Sequence, residues 1–144
     1  MVTMRTYLIF ITSIIMIQIF SSSAIASVMY PFPDETKVKI FSTEGVKIEK
    51  GTLRLTNPGE QAWLVQSWVE DNERKRTSAV YPSISRLEPK GKLVLNIYPL
   101  HEDINKDGWV FVLFIPPKDS TITNQVIIPV AYRLKMEKAI TKYK

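Results

Sequence analysis

The chain has 144 residues, of which 45% are hydrophobic and 23% are charged, and its formal net charge is +5. This length and composition indicate one ordinary globular domain and argue against a disordered protein, while the absence of cysteine excludes a disulfide framework, a thiol nucleophile and a zinc–thiolate site. The basic surplus is modest and no Lys/Arg block is long, so a nucleic-acid partner is not expected.

Residues 1–26 are predicted to be a cleaved signal peptide. The positive Arg5 precedes an apolar run at 7–20, and an A-x-A cleavage site ends at Ala26. The alternative is a membrane anchor, but a spanning helix needs about 20 apolar residues, and this run is shorter and contains a glutamine. We therefore expect an exported chain that starts at Ser27, with no stable membrane insertion after cleavage.

The mature chain consists of short segments with strand patterns, separated by turn residues. Strands are predicted over 28–36 (an edge or extended segment), 37–41, 52–56, 62–70, 79–86, 92–98, 109–115 and 124–136. The last residues, 135–144, are expected to form one helical turn or to fray. Seven or so short strands with turns about every 8 to 12 residues are typical of a two-sheet sandwich. The sequence therefore predicts an all-β, immunoglobulin-like, seven-stranded β-sandwich in a single domain, residues 27–144.

Two of these segments carry more specific predictions. The run at 109–115 is apolar throughout, which predicts a central strand buried on both faces. The final segment alternates Val126, Ile128 and Val130 on one face, with Ile127 on the other. Such a strand is either an ordinary core strand or, near an edge, a template for another chain. The pattern alone leaves both interpretations open.

Candidate catalytic and metal-binding residues are few. His101 is the only histidine, and it lies beside Glu102 and Asp103 in a polar loop. A metal would have to use one imidazole and two carboxylates, but adjacent loop residues rarely converge on one ion. A serine nucleophile would have no other base, and no glycine-rich phosphate loop is present. We expect no enzyme activity, no metal and no cofactor, and an enzyme site at 101–107 is the least favoured alternative.

Four blocks, in this order, resemble a known family. They are WLVQSWVED (63–71), YPSISRLEPKG (81–91), LVLNIY with WVFVLFIPPK (93–98 and 109–118), and VIIPVAYRLKMEK (126–138). The family is that of the periplasmic chaperones of the chaperone–usher pilus pathway, and the resemblance spans residues 52–137. It implies the immunoglobulin-like N-terminal domain of such a chaperone, located in the periplasm.

The resemblance also implies a mechanism. A pilus subunit of this pathway is an incomplete sandwich, and the chaperone lends it a strand until the subunit is delivered to an outer-membrane usher. The donor residues would be Val126, Ile128 and Val130. Pro129 departs from the family pattern and removes one main-chain hydrogen bond, because proline has no N–H.

The family also anchors the subunit's C-terminal carboxylate between an arginine on its first strand and a lysine on its last. That lysine corresponds to Lys135. The arginine has no counterpart, since one alignment puts Ser27 at its position and another puts Lys39 or Lys37 there. We favour Lys39, which would supply a point charge and not a bidentate fork.

The family has two sandwich domains, and this chain ends soon after the first, so the C-terminal domain is expected to be absent. Two alternatives therefore stay open. The first alternative is a truncated, non-functional chaperone remnant, and the second is a structural immunoglobulin-like component of a surface appendage. The second alternative would need a donor extension near the N-terminus, where 28–36 is interrupted by prolines.

Overall fold

The computed structural model describes residues 29–43, 46–77, 79–99 and 108–139. Residues 1–28, which contain the predicted signal peptide and Ser27, lie outside the described residues, and so does the loop with His101. Every regular element in the described ranges is a strand. Those ranges contain no helix long and apolar enough to cross a membrane.

The described residues form ten strands. In chain order they are β1 (Phe32–Pro33), β2 (Lys37–Thr43), β3 (Val46–Thr56), β4 (Trp63–Glu70), β5 (Arg76–Thr77), β6 (Val80–Tyr81), β7 (Ile84–Leu87), β8 (Lys92–Ile97), β9 (Trp109–Ile115) and β10 (Val130–Ala139). Seven of them have four or more residues, whereas β1, β5 and β6 are two-residue pairings. The predicted all-β class with seven principal strands is therefore confirmed.

The strands form one hydrogen-bonded sheet that curls into a sandwich. Its order is β5-β4-β9-β10-β2-β3-β8-β6, with β7 beside β4 and β1 beside β3. β10 joins the two layers, because Val130–Lys135 pairs antiparallel with β9 and Lys135–Ala139 pairs parallel with β2. The β4–β9 layer thereby faces the β3–β8 layer across the core.

The core lies between these two layers. β9 gives it Val110, Val112 and Phe114, all of which are fully buried. Seven other strands contribute the remaining buried members, which are Val38, Ile40, Leu53, Leu55, Trp63, Val65, Val69, Val80, Leu87, Leu95, Ile97, Leu134 and Met136. Because side chains alternate along a strand, each strand gives this core only every second residue.

The prediction that 109–115 is buried on both faces is wrong. Burial alternates along β9, and the four residues that alternate with its core positions are only half-buried. Their outer face is covered by other side chains: the Arg133 guanidinium lies 4.3 Å from the centre of the Trp109 ring, and Trp68 stacks on Phe111 at 5.0 Å. The sequence of β9 is therefore apolar throughout, because aromatic residues occupy part of its outer face, although that face is not fully buried.

The predicted final strand over 124–136 is wrong at both ends. β10 begins only at Val130, because the preceding Pro129 has no N–H to donate, and β9 ends at Ile115, which lies opposite Pro129 and leaves the earlier residues without a partner. At the other end β10 continues to Ala139, since β2 pairs with it there. The helical turn or frayed end predicted at 135–144 is therefore wrong for its first five residues.

Candidate functional site

The core-facing side of β10 continues beyond the chain's own core. Leu134 and Met136 are buried, and the half-buried Val130 packs against the same cluster. Upstream, Ile128 and Val126 keep the same spacing of two residues, yet they are 71% and 82% exposed. A row of apolar side chains therefore extends out of the sandwich, and Val126 and Ile128 at its outer end do not contact the core.

The first half of β10 has one open edge. β9 pairs with β10 on one side from Val130 onward, and β2 occupies the other side only from Lys135. Within the described residues, no strand pairs with 130–134 on the side opposite β9. The main-chain N–H and C=O groups of such an edge are a template for an added strand. An added strand would lie in line with β2 and end against Lys37, the first residue of β2.

The loop between β9 and β10 is folded on itself just before this exposed row. The Asp119 carboxylate accepts hydrogen bonds from the hydroxyl and the backbone N–H of Thr121, at 2.6 and 2.9 Å. These two bonds hold the pKa of Asp119 below its usual value. The side-chain oxygen of Gln125 accepts a bond from the Asp119 N–H at 2.8 Å. The loop is thus tied to itself as far as Gln125, and the exposed row begins at the next residue.

Four charged residues meet where β2 joins β10. In the parallel register, Lys135 lies opposite Lys37, and Glu137 lies opposite Lys39. All four lie on the outer face, because the residues between them belong to the core. The Lys37 ammonium group is 2.6 Å from a carboxylate oxygen of Glu137. We call these four residues the lysine corner; three ammonium groups and one carboxylate leave it a surplus of positive charge.

A cleft opens beside the lysine corner. Its volume is about 550 Å³, and it is lined by Asp34, Glu35, Thr36, Lys37, Lys39, Phe41, Thr52 and Glu137. The Asp34 carboxylate accepts a hydrogen bond from the Thr56 hydroxyl at 2.5 Å. Asp34 and Glu35 add negative charge inside the cleft, so the cleft itself is a poor place for an incoming carboxylate.

The structure brings the predicted anchor residues Lys135 and Lys39 to one face, with Lys37 directly opposite Lys135. Of the three predicted donor residues, Val130 begins β10, and Val126 and Ile128 lie just upstream of it. The predicted donor residues and the predicted anchor lysine therefore follow one another along one strand and its extension. Sequence reasoning missed Glu137, although its spacing of two residues from Lys135 places it on the same face.

Among the residues that the structure describes, no group of three or more His, Cys, Asp or Glu side chains is placed to hold a metal ion. The loop with His101, Glu102 and Asp103 lies outside them. The least favoured alternative, an enzyme site at 101–107, stays a prediction. The features that the described residues do present, an open strand edge and a charged corner, are features of binding.

Residues 35–136 match the family model described as pili and flagellar-assembly chaperone, PapD N-terminal domain. The matched stretch is more than half of the chain and includes the exposed row, the open edge and Lys135. The chain belongs to this chaperone family. The resemblance found in the sequence is thereby confirmed, together with the immunoglobulin-like fold and the chaperone class.

Two relatives and one solved structure show how close the likeness is. Protein FasE of Escherichia coli is 52% identical over 108 residues, which cover 75% of this chain and 81% of FasE. The probable fimbrial chaperone YadV of Escherichia coli strain K12 is 30% identical over 132 residues, which cover 82% of this chain and 51% of YadV.

The solved structure is that of the Salmonella enterica SafA pilin in complex with the SafB chaperone. One chain of it matches with a TM-score of 0.57 at 21% identity, over 81% of this chain and 58% of that one. At this identity the match shows a shared fold. This chain spans about half the length of YadV and somewhat more of that solved chain.

Proposed function

We propose that this chain is a periplasmic chaperone that binds pilus subunits, stabilises them by completing their sheet with residues 126–130, and delivers them to an outer-membrane usher. The observation that carries the proposal is the exposed apolar row at Val126 and Ile128, which leads into the open edge of β10. Family membership and the fold shared with one chain of a pilin–chaperone complex support it. Export with removal of residues 1–26 belongs to the same proposal, and the acting unit is the domain of residues 27–144.

Burial of the exposed row would supply much of the binding energy. A buried Val or Ile side chain contributes about 1.5–3 kcal/mol relative to an exposed one, and Val126 and Ile128 are both exposed in the free chain. Val130 has less to gain, because it already packs against the core. Main-chain hydrogen bonds along the edge add to this, except at Pro129, which has no N–H to donate.

We call the strand of the pilus subunit that would pair with the open edge of β10 the guest strand. The lysine corner determines the direction in which this guest strand would run. β10 runs toward Lys135, and its open edge closes where β2 begins at Lys37. A guest whose C-terminal carboxylate reaches the corner therefore runs parallel to β10. Lys135 and a lysine of β2 would hold that carboxylate by charge-assisted hydrogen bonds. Lys37 lies opposite Lys135, and Lys39, which the sequence favoured, lies two pairs further along, opposite Glu137.

The direct test is co-production of the chain with a pilus subunit in a bacterial periplasm. We expect the subunit to accumulate in soluble form and to co-purify with the chain, because a lent strand covers the open groove and edge of the subunit. The measured quantity is soluble subunit recovered with and without the chain. Equal aggregation or degradation of the subunit in both cases would contradict the proposal, and polymers of the chain itself outside the cell would favour the structural-component alternative.

Replacement of Lys135 by methionine is expected to weaken subunit binding about 10- to 100-fold, because a hydrogen bond to a charged group is worth about 1.5–3 kcal/mol. The dissociation constant for the subunit and the unfolding midpoint are measured together. Lys92→Met, which removes an exposed lysine of β8, is the matched control. Comparing the affinities of the Lys37→Met and Lys39→Met proteins tells which β2 lysine holds the carboxylate of the subunit. Equal affinities of the Lys135→Met and Lys92→Met proteins would rule out the anchor.

A further inference from the structure

Glu137 lies within the lysine corner, although no carboxylate is expected in a site that binds a carboxylate. It follows Lys135 by two residues on β10 and therefore shares its outer face. Its carboxylate oxygen is 2.6 Å from the Lys37 ammonium group, and its Cα partner across the strands is Lys39. The single carboxylate of the corner thus neighbours both lysines that β2 contributes.

The Lys37–Glu137 pair stands where a guest strand would end. The open edge of β10 closes at Lys37, so the last residue of an added strand meets this pair first. The two side chains are 57% and 42% exposed. Exposed ion pairs of this kind open easily, because water solvates both partners well. A carboxylate that arrives at the corner therefore competes with Glu137 for the same ammonium group.

We propose that Glu137 is an internal competitor for the C-terminal carboxylate of the guest. It holds Lys37 in the unbound protein, gives way when a free chain end docks, and takes Lys37 back as the guest leaves. Glu137 thereby lowers the affinity of the corner for a guest carboxylate and shortens its stay, which suits a protein that must hand its guest on. The inference rests on the proposed function, since it requires a guest strand on the open edge of β10.

The test compares the wild-type protein with Glu137→Gln, and the guest is a short fluorescent peptide of alternating valine and threonine. One version of the peptide ends in a free carboxylate and the other in an amide. We expect Glu137→Gln to bind the acid about two- to fivefold more tightly, the range that an exposed lysine–glutamate pair is worth, and to release it more slowly. Affinity for the amide should stay the same, because an amide does not compete for Lys37.

Glu60→Gln is the matched control. Glu60 lies in the connection between β3 and β4, and its carboxylate forms a similar exposed ion pair with the Lys90 ammonium group at 3.0 Å. The two substitutions change the net charge equally, so Glu60→Gln reports any general attraction between a more basic protein and an anionic peptide. A second control adds Lys37→Met to Glu137→Gln and should remove the gain.

The outcomes separate this inference from the proposed function. A wild-type protein that binds neither peptide, or both alike, would overturn the carboxylate anchor and the inference with it. A wild-type protein that prefers the acid, beside a Glu137→Gln protein with unchanged acid affinity, would overturn the inference alone. An equal gain for the amide, or in the Glu60→Gln protein, would also overturn it. A gain confined to the acid and lost in the double variant supports it.

Discussion

A protein with Ile128 replaced by aspartate is expected to fold normally and to lose the capture of pilus subunits. Ile128 is 71% exposed and lies outside the strand pairing, so the free protein gives up no core contact. In the complex, the substitution would forfeit the burial of an isoleucine, about 1.5–3 kcal/mol. It would also force a carboxylate into an apolar groove, which costs still more. We expect the affinity for a subunit to fall about 100-fold or more.

The neighbouring Ile127 provides a matched control. In an extended segment its side chain would point away from the core of the guest, because successive residues of a strand face opposite ways. Ile127→Asp should therefore weaken binding much less, although it places the same charge one residue away. Subunit affinity and thermal unfolding are measured for both proteins, and both should unfold at the wild-type temperature. Equal losses of binding would mean that negative charge alone disrupts the encounter, which would contradict strand donation.

The shared face of the three proposed donor residues could be predicted from the sequence because strand alternation has a fixed period. Val126, Ile128 and Val130 share a face with the later core residues of β10 whether or not they are paired. The point where pairing begins is different, since it depends on β9 ending at Ile115, in another part of the chain. The local pattern therefore placed the three residues on one face, but it merged an exposed segment and a paired strand into one element.

The proposed anchor shows that residues opposite one another on neighbouring strands are equally hard to predict. A spacing of two places Lys37 with Lys39 on one face of β2, and Lys135 with Glu137 on one face of β10. Which residues lie opposite one another depends on a parallel register between segments that are 100 residues apart at Lys37 and Glu137. No local pattern fixes such a register. The pairing in the structure joins the two faces into a four-residue corner with an acid in it.

The start of β10, next to the proposed donor residues, packs on Phe114. Replacing Phe114 by alanine is expected to lower the free energy of unfolding by about 3–5 kcal/mol. The side chain is fully buried, lies opposite Val130 in the β9–β10 register, and meets the ring of Tyr132 edge-on at 5.8 Å. Deleting the ring leaves a cavity next to the start of β10. The loss is a large share of the 5–15 kcal/mol or so that stabilises a typical domain, and urea unfolding measures it.

Leu113→Ala is the matched control for this change, because Leu113 is the preceding residue and is half-buried on the outer face. The Leu113→Ala substitution should lower the free energy of unfolding by only about 1 kcal/mol. Only Phe114→Ala should also speed amide hydrogen exchange at 130–134 relative to the β3–β8 pairing, since only it removes support from β10. An equal loss in the free energy of unfolding for the two variants would mean that the core does not hold the start of β10 in place. An added strand needs a fixed template, so the stability of this part of the core and the capacity to complete another sheet should fall together.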